Sequence, residues 1–141
     1  MRILAIMDSK AAASLLVAGR AATMARDENA TLTLMQMWSC RWLEIGISSP
    51  SVPVPITRES VLADRQAWAA TQVGAIRRAI CDEPGVRTQC RKGGVWAALF
   101  REVRRDAYDT VVMAKRTGAG SLLLSYLRSR GIRLVLVEGD E

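Results

Sequence analysis

The sequence predicts an α/β protein built as one doubly wound parallel sheet with helices on both faces. Apolar runs alternate with helix-patterned stretches over 141 residues, a length suited to a single domain, residues 1–141. The first run is continuous rather than alternating, as in a strand covered on both sides. Each strand is followed by a helix, and that alternation selects a parallel sheet with right-handed crossovers.

Residues 2–7 (RILAIM) form the first strand, which ends at Asp8-Ser9. An alanine-rich helix follows Lys10 to about Arg26, with Ala13, Val17, Ala21 and Met24 as its buried stripe. Asp27-Glu28-Asn29 breaks it, and residues 31–37 (TLTLMQM) give the second strand. Residues 38–59 carry Trp38, Trp42, Pro50, Pro53 and Pro55 without periodicity, as a lid, contact surface or excursion does. Residues 60–81 are helical again, with Leu62, Ala69, Val73, Ile76 and Ile80 on one face. Residues 86–91 (VRTQCR) read as a half-exposed edge strand. Gly93-Gly94 then turns the chain into a helix whose stripe is Val95, Leu99, Val103 and Ala107. A fourth strand, centred on Val111-Val112-Met113, leads through a basic turn to a helix that runs to about Arg130. Gly131 ends that helix, and Ile132 to Val137 is the last strand.

The turn after the fourth strand organises the functional reading. Lys115-Arg116-Thr117-Gly118-Ala119-Gly120-Ser121 joins a buried strand to a helix start. Backbone N–H groups and the helix dipole converge there, which suits a phosphate. The other reading is that Gly118 and Gly120 make the turn and Ser121 caps the helix. In a doubly wound sheet, ligands sit at the carboxyl ends of the strands where strand order reverses, so Asp8 and this turn would flank one crevice. Asp8 offers an acceptor for ribose hydroxyls or an exocyclic amine, or it caps the first helix. Arg116 pairs with phosphate or stays solvated.

Composition excludes much else. No histidine is present, which removes Ser-His, Cys-His and His-metal chemistry. Cys40, Cys81 and Cys90 lie far apart and predict neither a disulfide framework nor a metal site. The formal charge of +6 suits an acidic partner, but the arginines are scattered and aromatics are few, which argues against nucleic acid. With no signal-peptide pattern and no apolar run of about 18 residues, the expectation is a cytoplasmic protein with no membrane partner.

The chain resembles the universal stress protein family. The resemblance rests on Ile3-Leu4-Ala5-Ile6-Met7-Asp8-Ser9, on Gly94-Val95-Trp96-Ala97-Ala98-Leu99 followed by Asp109-Thr110-Val111-Val112-Met113, and on Leu134-Val135-Leu136-Val137. It implies a five-stranded sheet in the order 3-2-1-4-5 and a nucleoside contact at Asp8. The nucleotide-binding branch carries glycine, two residues, glycine, nine residues, then glycine with serine or threonine. In this chain Ala114 follows Met113, Thr117 takes the second position, and Leu127-Arg128 or Leu124-Ser125 takes the last. The resemblance therefore implies a binding and signalling protein, not an enzyme, whose adenine-nucleotide site is degraded. The alternative is a member that binds ATP or another phosphorylated metabolite through the shifted glycines. Candidate nucleotide-binding residues are Asp8, Met113, Arg116, Gly118, Gly120, Ser121 and Ser125, with ATP as the candidate cofactor. The resemblance also implies a homodimer through the last strand, Ile132 to Val137.

Overall fold

The computed structural model describes residues 1–7, 11–38, 58–80, 85–93, 95–105, 107–115 and 121–138. The chain runs β1 (Arg2–Met7), α1 (Ala11–Asp27), β2 (Thr31–Trp38), α2 (Arg58–Ile80), β3 (Arg87–Lys92), α3 (Val95–Arg105), β4 (Thr110–Ala114), α4 (Ser121–Ser129) and β5 (Arg133–Val137). The strands form one parallel sheet in the order β3-β2-β1-β4-β5, the doubly wound topology expected from the sequence.

Alternation along the central strands divides the core in two. Ile3, Ala5, Met7, Leu32, Leu34 and Val112 face α1 and α2. Leu4, Ile6, Met35, Met37, Val111 and Met113 face α3 and α4. β1 and β4 are covered on both sides, which is why their sequences read as unbroken apolar runs. Ala18, Ala21 and Ala22 are buried on α1, and small side chains there let the helix lie close to the sheet. On α2, Ala69, Val73 and Ile76 are buried as the spacing predicts, while Leu62 and Ile80 are half-buried.

Two helix ends are fixed by the same device. After α1, Ala30 N–H donates to Ala25 O at 2.8 Å and Asn29 N–H to Arg26 O at 3.4 Å, with Asn29 at φ 50°. After α4, Ile132 N–H donates to Leu127 O at 2.9 Å and Gly131 N–H to Arg128 O at 3.0 Å, with Gly131 at φ 72°. Both are Schellman closures, in which a left-handed residue lets the chain satisfy its last carbonyls. The second adds an apolar clasp, because Leu127 and Ile132 are buried in one cluster.

Several boundaries move for physical reasons. Ile132 completes the closure of α4, so β5 begins at Arg133 rather than Ile132. Ala107 is exposed and lies beyond the end of α3, so it does not extend the Leu99–Val103 stripe. β3 starts at Arg87 instead of Val86, whose side chain packs beneath α1 and α2. Residues 39–57, most of the aperiodic stretch, lie outside the described residues.

The inward face of α3 also holds a carboxylate. Glu102 is 1% exposed, accepts from the Tyr108 hydroxyl at 3.3 Å and lies 3.5 Å from an Arg91 guanidinium nitrogen. Arg91 is partly solvated, so the pair's main effect is to avoid leaving a buried charge alone.

Gly131→Ala should destabilise the fold by about 1 kcal/mol, read from urea unfolding. A Cβ at this position meets nothing within 4 Å, so the cost is conformational, and an unchanged midpoint would refute the closure's role.

Candidate functional site

Strand order reverses between β1 and β4, and the register fixes what meets there. Ile6 pairs with Met113, which brings Met7 and Ala114 side by side at the carboxyl ends of their strands. This is the switch point at which doubly wound sheets take ligands.

Each side chain that borders it is set by the sheet. Met113 is 4% exposed and packs in the α3/α4 core, so what it can offer a ligand is backbone. Ala114 is still within the ladder, paired with Val137. Lys115 continues that ladder through its N–H to Val137 O at 2.8 Å. Its ammonium nitrogen lies 3.1 Å from a Glu138 carboxylate oxygen, an exposed pair that ties the chain after β4 to the chain after β5. The first cation of the basic turn is therefore engaged with a carboxylate.

α4 opens at Ser121 and runs through Ser129. The first four N–H groups of a helix lack intrahelical partners, so its free donors lie at 121–124 and carry the positive end of the dipole. Ser125 is exposed on the helix, but its N–H falls within the hydrogen-bonded part. Leu127, where the spacing of the binding motif calls for glycine, is fully buried in the core and accepts the Ile132 N–H. Asp8, Arg116, Gly118 and Gly120 lie outside the described residues.

Nothing else described offers strong reactivity. Cys90 is half-buried against the α1/α2 core, and burial pushes its thiol up, away from the nucleophilic thiolate. Among the described residues no group of three or more cysteine, aspartate or glutamate side chains is placed to hold a metal, and no helix is long and apolar enough to cross a membrane.

Sequence reasoning passed over two features. Glu102 lies three residues from Leu99, so helical spacing alone could have shown a carboxylate on the buried face. Arg104, Arg105 and Arg130 line a hollow at the opposite end of the sheet. Arg104 and Arg105 close α3 whereas Arg130 follows α4, and no local spacing joins the two ends.

A family model described as the universal stress protein family matches residues 1–131. The comparison with curated protein sequences found no match. Among solved structures, the chain is similar to universal stress protein UspA from Lactobacillus plantarum, with 18% identity and a TM-score of 0.62 over 99% of this chain and 97% of that one. A universal stress protein in complex with cAMP gives 18% identity and a TM-score of 0.54 over 97% of both chains. The universal stress protein from Archaeoglobus fulgidus in complex with dAMP gives 14% and 0.53 over 96% of both. At these identities the likeness carries the fold.

Proposed function

Because the chain belongs to the universal stress protein family, we propose that it is a cytoplasmic binding and signalling protein, not an enzyme, whose adenine-nucleotide site is degraded. The observation that carries this reading is Leu127. A core leucine, closed into the last turn of α4, occupies the position at which the binding pattern asks for glycine next to phosphate. Ala114 adds a Cβ at the first glycine position, at the end of a strand held on both sides. The alternative alignment puts Leu124-Ser125 at the glycine-serine pair, again inside the helix. Losing two charge-assisted contacts at about 1.5–3 kcal/mol each would move a micromolar constant to the millimolar range or beyond.

A second reading rests on the start of α4. Its free N–H groups follow directly on Gly118 and Gly120, so a small phosphorylated ligand could be held by the shifted turn with Arg116 as a cation. Solved relatives in complex with cAMP and dAMP favour a nucleotide as that ligand. Calorimetry with ATP and magnesium separates the two. The degraded site gives no heat at micromolar concentrations and gains affinity when Ala114 and Thr117 are both replaced by glycine. A micromolar constant in the parent, lost in Asp8→Ala and in Gly120→Val, would establish the second reading instead.

Self-association through β5 is part of the proposal. β5 has β4 on one side, Leu136 is 37% exposed, and Val135 and Val137 are half-buried. An apolar strand edge of this kind is covered by a second copy at little cost, and a two-fold contact closes on itself. Sedimentation should show a dimer that Leu136→Lys shifts toward monomer; a parent protein that sediments as monomer would remove the basis for this assembly. Nucleic acid is not a proposed partner, and binding to duplex DNA should be weak and vanish near physiological salt.

A further inference from the structure

Residues near the amino ends of β4 and β5 line an open hollow of about 300 Å³. It lies beyond the five residues of β4 from the switch point, about 15 Å of strand away. Its floor is apolar: Val103, Tyr108 and Ile132 are each less than a tenth exposed. The Tyr108 hydroxyl is turned inward to Glu102 at 3.3 Å. The rim is cationic, formed by Arg104 and Arg105 from the end of α3 and Arg130 from the end of α4.

Those arginines are exposed and make no ion pair with any described residue. Arg130 is steadied instead by the Tyr126 ring, 5.5 Å from its guanidinium carbon, and Tyr126 is in turn set edge-on against Phe100 at 4.5 Å. The nearby Glu102 carboxylate is buried and already held by Arg91 and Tyr108, so it does not neutralise the rim. Helix C-termini favour cations, and here two such termini set three arginines along one hollow.

We propose that this hollow binds a phosphomonoester carried on a small apolar or aromatic body. Guanidinium forks match phosphate oxygens in pairs, and the volume is at the lower end for ligand pockets, with room for about one ring. The body would cover the floor of Val103, Tyr108 and Ile132 while the phosphate sits among the arginines at the mouth. The site is separate from the β1/β4 switch point and does not depend on nucleotide binding there.

Phenyl phosphate is the probe, titrated into the full ¹⁵N-labelled chain while backbone amide shifts are followed. Saturable shifts should centre on Ala107, Tyr108 and Ile132, with a dissociation constant below about 1 mM. Inorganic phosphate should bind about tenfold more weakly, because it leaves the floor uncovered. Arg104→Ala and Arg130→Ala should each weaken phenyl phosphate by about tenfold or more. Ala107→Trp keeps all three charges but fills the mouth, and should abolish saturation. The proposal is overturned by an absence of saturable shifts up to about 10 mM, by equal binding of inorganic phosphate, or by shifts centred on Met7 and Ala114. A response to duplex DNA at lower concentration than to phenyl phosphate would make the rim a polyanion surface and overturn it equally.

Discussion

The parallel pairing of β1 with β2 on one side and β4 on the other is the constraint on which the other elements depend. A parallel strand at the centre of a sheet has no solvent-facing side, so every residue from Ile3 to Met7 must be apolar and must find a helix above or below it. That requirement puts α1 and α2 on one face and α3 and α4 on the other. It also aligns the carboxyl ends of β1 and β4 and creates the switch point before any binding residue is chosen. The location of the crevice is thus a by-product of core burial, whereas its occupancy depends on the turns beyond it.

At α4 the two demands compete for the same residues. Phosphate binding through the family pattern wants bare backbone after β4. This chain instead places Leu127 in the core and uses its carbonyl, with that of Arg128, to close the helix against Ile132 and Gly131. A large apolar side chain there stabilises the α3/α4 face of the core. Packing and recognition draw on one segment, and within it Leu127 is given to packing.

How far the sequence announces this differs from element to element. β1 and β4 are legible because burial on both faces leaves a continuous apolar run, and α1 because its small residues recur at helical spacing. β3 was found from weak alternation and turn residues, with a one-residue shift, since an edge strand faces less of the core. The end of α3 was overextended, because Ala107 fits the helical period but the chain has already turned toward β4. At the site, the departures at Ala114 and at Leu127 can be read residue by residue, while Asp8, Arg116, Gly118 and Gly120 lie outside the described residues. The burial of Leu127 and the engagement of Lys115 with Glu138 needed the fold, because both depend on neighbours far along the chain.

The sheet has two edges of opposite character. β5 presents an apolar edge with Leu136 exposed, whereas β3 carries Arg87, Arg91 and Lys92 along its own. A domain with two apolar edges could add copies at both ends and grow into a ribbon. A basic edge meets its like with repulsion and lacks the apolar surface that drives strand addition. The proposed association through β5 would consume the apolar edge of each copy and turn two basic edges outward. Growth by that route would stop at a pair, with the charge on β3 acting as a chain terminator.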